Sequence, residues 1–344
     1  MKRYKAKAAM LILILMIIFT GCSKKDEMVT DSTYMLGTYL QINIWTQDAE
    51  KGKEIIQQCF QRISDIEKRM SVNIEDSDVS KININAGKAS VQVESDTDYV
   101  LTKALEYARA TDGAFNPAIG KLVALWGIGT EKENVPSDNA IQEALQYVDY
   151  HKIDMKDGRN VRLEAEGMRI DLGGIAKGYA ADEVAKILSE NGIKKAIINL
   201  GGNVLVMGSK EENTPWKVGI QNPFEPTGTY MGVVELTDKT VVTSGNYERY
   251  FEKNGKRYHH ILDPKSGYPA ENGIISSTII ADKSIDADAL STGVYVLGLE
   301  KGMALIEGLQ GVECILINDK SEVFLSSGIK DRFKITNDQF KVVE

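Results

Sequence analysis

Three segments of the chain combine residue types and spacings that could do chemistry. In Ser284-Ile285-Asp286-Ala287-Asp288-Ala289-Leu290-Ser291-Thr292, the Asp288 carboxylate and the Thr292 hydroxyl are four residues apart. A helix capped by Ser284 would put both on one face. A donor set made only of oxygens suits Mg²⁺ or Ca²⁺ rather than zinc; acidic residues near a helix start also serve simply to complement its dipole. In Arg169 to Asp182, a short strand is expected to end at Asp171, the chain turns at Gly173-Gly174, and an amphipathic helix begins near Ile175. Glycines let backbone approach a ligand closely, and the free N–H groups of a helix start face an anion. Lys177 adds a movable positive charge, and Asp171 can accept from a ribose or ring N–H. The spacing matches neither Gly-x₄-Gly-Lys nor Gly-x-Gly-x-x-Gly, and a plain strand–helix turn accounts for it as well. The third segment runs from Thr243-Ser244-Gly245 to Pro269, with a hairpin turn at Asn254-Gly255 followed by a Pro/Gly corner. His259 and His260 are neighbours there, and on a strand they point to opposite faces, so at most one reaches a given site. The isolated His151 reads as a surface residue.

The elements that must position these groups follow from hydrophobic periodicity. Apolar residues recur at helical spacing from Ala49 to Met70 (Ile55, Ile56, Phe60, Ile63, Ile66), and further helices are expected over 98–110, 117–126 and 137–147. A strand is expected over 34–45. From residue 151 short strands dominate: 159–164, 168–171, 195–200, 203–208, 216–221, 229–236, 240–244, 247–252, 256–262, 274–281, 312–318 and 321–326. Helices interrupt them at 175–190, 286–297 and 300–308. Short strands joined by Gly- and Asn-containing turns predict an α+β fold, mainly antiparallel sheet with flanking helices. The first third is helical and the remainder β-rich, but no linker separates them, so one domain is expected over 33–344.

Composition narrows the possible partners. The 344 residues carry a net charge of −8, and residues 1–21 hold four cations and no acid, so the remaining body is more acidic still. That argues against nucleic acid as a partner, and any polyanionic substrate needs a cation or a cluster of donors to bind. The basic residues Lys2, Arg3, Lys5 and Lys7 precede an apolar run from Ala8 to Phe19 that would span about 18 Å as a helix, too short for a bilayer core. A secretion signal accounts for it. Phe19-Thr20-Gly21-Cys22 at its end resembles a bacterial lipobox. Residues 1–21 are therefore expected to be a lipoprotein signal peptide, Cys22 the lipidated residue, 22–32 a polar tether, and the location the extracytoplasmic face of the cell membrane. Cys59 and Cys314 sit in apolar-periodic surroundings and are expected as buried free thiols.

Further stretches occur in a fixed order between and around these segments: Leu36-Gly37-Thr38, Met70-Ser71, Ser80 to Asn83, Asp112-Gly113-Ala114-Phe115-Asn116-Pro117, Leu125-Trp126-Gly127, Asn199-Leu200-Gly201-Gly202-Asn203, Trp216 to Ile220, and His260-Ile261-Leu262-Asp263-Pro264. Together with the three segments they closely resemble the ApbE family of FAD:protein FMN transferases over nearly the whole mature chain. The resemblance implies a T-fold-like core, FAD as substrate in a cleft, and Mg²⁺ at its diphosphate. The metal ligands would be Asp288, Thr292 and the Gly174 carbonyl. Leu36, Ala114, Phe115, Asn116, Asp171, Lys177 and Ile261 would line the FAD site, and His260 would take a proton. In the implied reaction a Thr or Ser hydroxyl of a partner flavoprotein attacks the flavin-side phosphorus and AMP leaves. Candidate acceptors are electron-transport subunits of the Rnf or Na⁺-pumping NADH:quinone reductase type, or exported flavoproteins. Asn73 departs from the family, many members of which have there a tyrosine that stacks on the flavin. Weaker FAD binding and some FAD hydrolysis are expected in consequence. The competing class is a lipoprotein that holds flavin without chemistry; an oxygen-ligand pair beside a glycine turn argues against it.

Overall fold

A computed structural model describes residues 25–155, 158–211 and 214–343. The signal-peptide and Cys22 lipidation expectations fall outside the described residues. Among the described residues, no helix is long and apolar enough to cross a membrane.

The framework is a nine-stranded sheet in the order Glu27–Met35, Thr38–Thr46, Ala196–Leu200, Asn203–Met207, Lys239–Gly245, Ile274–Ala281, Glu313–Asn318, Glu322–Leu325 and Lys341–Val342. Every pairing is antiparallel except the last, which is parallel. Helices cover one face, and a three-stranded sheet (Trp216–Gln221, Tyr230–Leu236, Phe333–Ile335) covers part of the other. The central strands therefore bury both faces, and their side chains alternate between two cores. Val242, Ile279 and Leu316 pack toward the helix Ser284–Leu297, while their neighbours Val241, Ile280 and Ile315 pack toward Trp216, Met231 and Phe333. That is why these strands read as continuous apolar runs. The largest core lies between the N-terminal half of the sheet and the helices Ala49–Met70, Ser95–Ala110 and Ala176–Glu190. The α+β class, the mainly antiparallel sheet and the flanking helices all agree with the pattern read from the sequence.

Four differences have physical causes. The expected tether is in part a strand, Glu27–Met35; at the sheet's edge most of its side chains meet water, so it reads as polar. The expected strand at 168–171 is extended but unpaired. Its polar groups go instead to Asn83, which brackets the Ile170 backbone at 2.7 and 3.0 Å, and to Pro117 and Gly120. Ser284 is not the cap of its helix; Lys283 holds that position, and the capping oxygens come from Asp182. The helix Asp78–Ile84 and the strands Val91–Gln92, Ile153–Asp154, Phe333–Ile335 and Lys341–Val342 are too short to show a period. Cys59 and Cys314 are buried free thiols, as expected, and His151 is exposed beside Asp149.

Candidate active site

The helices Ala176–Glu190 and Ser284–Leu297 cross at very close range and carry the central groups. Contact requires Gly178: a Cβ there would lie 2.2 Å from the Ser284 carbonyl oxygen. The Gly178 N–H, otherwise an unpaired donor in the first turn of its helix, donates to Asp288 Oδ2 at 2.9 Å. Asp288 is 3% exposed, so burying its charge demands partners. Its second oxygen, Oδ1, faces Lys177 Nζ at 3.7 Å, and the same ammonium reaches the Gly173 carbonyl at 3.3 Å. Gly173 in turn donates to Asp171 Oδ1 at 2.7 Å, fixing the glycine bend. Burial pushes the Asp171 carboxyl above its ordinary value, against the pull of the Gly173 N–H, Arg169 and Lys177.

Thr292 completes this corner. A Cβ on Gly174 would meet Thr292 Oγ1 at 3.4 Å and the Phe115 ring at 3.2 Å, so glycine leaves a cradle between hydroxyl, ring and loop. Ser291 donates to the Asp288 backbone carbonyl at 2.9 Å, which spends its only proton. Ser244 then donates to Ser291 across 2.8 Å and lies 3.4 Å from Thr292. This hydroxyl chain leaves lone pairs of Thr292 free to act as a ligand. The helix bearing both groups is pinned at its start. Asp182 accepts from the N–H groups of Ser284 and Ile285 at 2.8 and 3.0 Å, and Ser284 Oγ donates to Asn203 Oδ1 at 2.5 Å.

Asp288 and Thr292 lie four residues apart on one helix, and Thr292 borders the Gly174 bend, so the donors at this corner are oxygens. Among the described residues no group of three or more His, Cys, Asp or Glu side chains could hold a metal. A hard divalent cation that shares its coordination with phosphate oxygens and water fits these residues.

The second rim is the Leu36-Gly37 turn. Met35 and Thr38 are the last paired residues, and both turn residues have positive φ, +52° for Leu36 and +67° for Gly37. A leucine in that region is strained, and it persists only where its surroundings hold it. Glu67 accepts from the Leu36 N–H at 2.8 Å, and the Gly37 carbonyl accepts from Tyr34 Oη at 3.0 Å and Arg249 Nη2 at 3.1 Å. Arg249 also offers its carbonyl to the His260 backbone N–H at 3.0 Å and to its Nδ1 at 3.2 Å. Neighbouring His259 points the other way. It is buried, bonded to the Ala270 carbonyl and edge-on to Tyr295, and burial lowers its pKa to about 4. Of the two, His260 is the one that water reaches, and crowding by its surroundings with the Arg249 cation holds its pKa below the usual histidine range.

Of the expected site residues, Phe115, Asp171, Gly174, Lys177, Asp288 and Thr292 are joined directly or through one neighbour. Ala114 and Asn116 flank Phe115 and are buried, Asn116 capping the short helix Pro117–Ile119. The Leu36-Gly37 turn and His260 are linked through Arg249, which donates to the Gly37 carbonyl. Asn73 is exposed in the turn after the helix Ala49–Met70, and Ile261 is buried with Ala270 and Tyr295; neither is hydrogen-bonded to the rest among the described residues. Arg249, Glu67, Ser244 and Asp182 were given no role from the sequence. Asp182, Ser244 and Arg249 lie within the segments singled out above, whereas Glu67 gives no local signal.

An antiparallel-dominated α+β scaffold places a glycine-opened helix start, a lysine and the Asp288 carboxylate side by side. Comparisons with known proteins identify the family. The ApbE family model matches residues 36–316. The FAD:protein FMN transferase of Treponema pallidum is 36% identical over 321 residues, 89% of each chain, and one from Klebsiella pneumoniae is 35% identical over 91% of this chain and 96% of its own. Among solved structures, the ApbE protein of Thermotoga maritima superposes with a TM-score of 0.81 at 33% identity, and the flavin transferase ApbE of Vibrio cholerae with 0.80 at 27%. Each alignment covers 89% of this chain and 99% of the other. The chain belongs to the ApbE family.

Proposed function

We propose that this protein is an FAD:protein FMN transferase that works with Mg²⁺ and takes a Thr or Ser hydroxyl of a partner flavoprotein as acceptor. The observation that carries the reading is Asp288: one carboxylate oxygen is fixed by the Gly178 N–H, the other faces Lys177, and Thr292 of the same helix borders the Gly174 cradle. Asp288 Oδ1, Thr292 Oγ1 and the Gly174 carbonyl would hold Mg²⁺, which when bound neutralises the charge that grows on the diphosphate as it is cut. Lys177 and the helix start add positive potential at the same phosphates. His260 receives the acceptor's proton: its Nδ1 faces a carbonyl, so Nε2 carries the lone pair. The acceptor oxygen forms a bond to the flavin-side phosphorus, the bridging P–O bond breaks, and AMP leaves with that electron pair.

Asp288→Ala, and the milder Asp288→Asn, should abolish AMP release from FAD while the folded circular-dichroism spectrum is retained. Transfer at the wild-type rate in limiting Mg²⁺ would sink the metal assignment. Mass spectrometry of a co-expressed Rnf- or Na⁺-NQR-type subunit, read for added FMN, tests the acceptor class; its absence beside normal FAD cleavage would favour water as the acceptor. Export and lipidation at Cys22, placing the enzyme on the outer face of the membrane, belong to the same proposal. Loss of membrane association in Cys22→Ala checks it.

A further inference from the structure

We infer that Arg249 is a positioning residue for the transfer reaction: its side chain locks the flavin-side turn to the segment whose carbonyl sets the tautomer of His260. The inference rests on the reading above. Two parts of one residue do separate work. The backbone oxygen of Arg249 accepts from His260 twice, through the backbone N–H at 3.0 Å and Nδ1 at 3.2 Å. A carbonyl has no proton to give, so Nδ1 must be the protonated nitrogen and Nε2 the proton acceptor. The guanidinium reaches Gly37, 212 positions away in sequence, and donates to its carbonyl at 3.1 Å. That carbonyl belongs to the strained Leu36-Gly37 turn, whose other side is gripped by Glu67. The His260 rim and the flavin-side rim are thus held at a fixed separation by one long side chain. Arg249 is itself exposed, so the fold does not depend on it as it would on a core residue.

The cation has a second effect on the same ring. The pKa of His260 is lowered by crowding first and by Arg249 next, with the adjacent His259 and Lys177 adding to the effect. Glu248, whose carboxyl is raised chiefly by burial, is the neighbouring acid, lying within the field of both Lys177 and Arg249. Removing the arginine charge should therefore let His260 bind a proton more readily.

The test uses the full chain with FAD and Mg²⁺, measuring AMP release across pH 5 to 9. Arg249→Met should lower kcat about ten-fold, a modest misplacement at the reacting centre, with KM for FAD changed by less than about three-fold. The acid limb of its kcat profile should move upward by about half a pH unit or more. Arg249→Lys should return the limb toward its original position and recover part of the rate. An Arg249→Met enzyme with an unmoved acid limb, or with its whole defect in KM, overturns the inference. His260→Gln separates the two levels of argument. If that variant cleaves FAD normally, the proton-acceptor assignment fails and this inference fails with it. If it is inactive while Arg249→Met shows the wild-type limb, only the role of Arg249 is lost.

Discussion

Single residues decide how tightly this cleft can hold its ligand. Asn73 lies exposed in the turn that follows the helix Ala49–Met70, at the position where the family resemblance sets a tyrosine against the flavin. Asn73→Tyr should tighten FAD binding by on the order of 1 kcal/mol, about five-fold in Kd, read from quenching of flavin fluorescence. The fraction of FAD lost to water should fall with it. At this scale the sequence was informative wherever a site residue is bound to its neighbours by spacing. Asp288 and Thr292 announce themselves by their four-residue interval, and Lys177 by the glycine pair before it. Arg249 does not, because its meaning comes from a turn more than two hundred residues away; a lone arginine in a polar hairpin has no periodic or motif signature. The choice between His259 and His260 likewise needed the third dimension, since alternation says only that they diverge.

At the scale of elements, the close crossing of the helices Ala176–Glu190 and Ser284–Leu297 is what brings ligand groups together. Gly178→Ala would drive a methyl group into the Ser284 carbonyl, backbone against backbone with no flexible end to yield. Destabilisation of about 2–3 kcal/mol is expected, measured by denaturant unfolding, together with loss of FAD cleavage. Asp182 joins the same pair of helices from the other side. Desolvation raises its carboxyl from 3.8 to about 6, against the two N–H groups of Ser284 and Ile285 that favour the anion. The folded chain therefore binds that proton more tightly than the unfolded one. The corresponding stability is full below about pH 4 and is lost as pH rises through about 6. Asp182→Asn has no proton to exchange, so the stability gap between wild type and variant should narrow by on the order of 1 kcal/mol from pH 4 to pH 7. Most of these elements were legible from periodicity alone. Those that were not either are too short to show a period or, like 168–171, alternate as a strand does while bonding to loops and to Asn83 rather than to a ladder.

Taken as a whole, the molecule is a nine-stranded sheet whose central strands are buried on both faces. The sequence conveyed the class of this architecture, because strand-length apolar runs and amphipathic helices follow one another in a recognisable order. It did not convey which strand lies at the edge: an edge strand has only one neighbour and half a core, so its apolar signal is diluted. That edge strand is Glu27–Met35, and its far end runs straight into the Leu36-Gly37 turn. Extended backbone advances about 3.3 Å per residue, so its nine residues form a stiff strut of roughly 27 Å between the start of the folded body and the rim of the cleft. Were Cys22 leashed to a bilayer with this strand directed away from it, the Leu36-Gly37 rim would stand off from Glu27 by that length. An acceptor side chain lying flush with the lipid headgroups would then pass beneath the cleft, and one carried on a loop or domain a few nanometres above the surface would meet it.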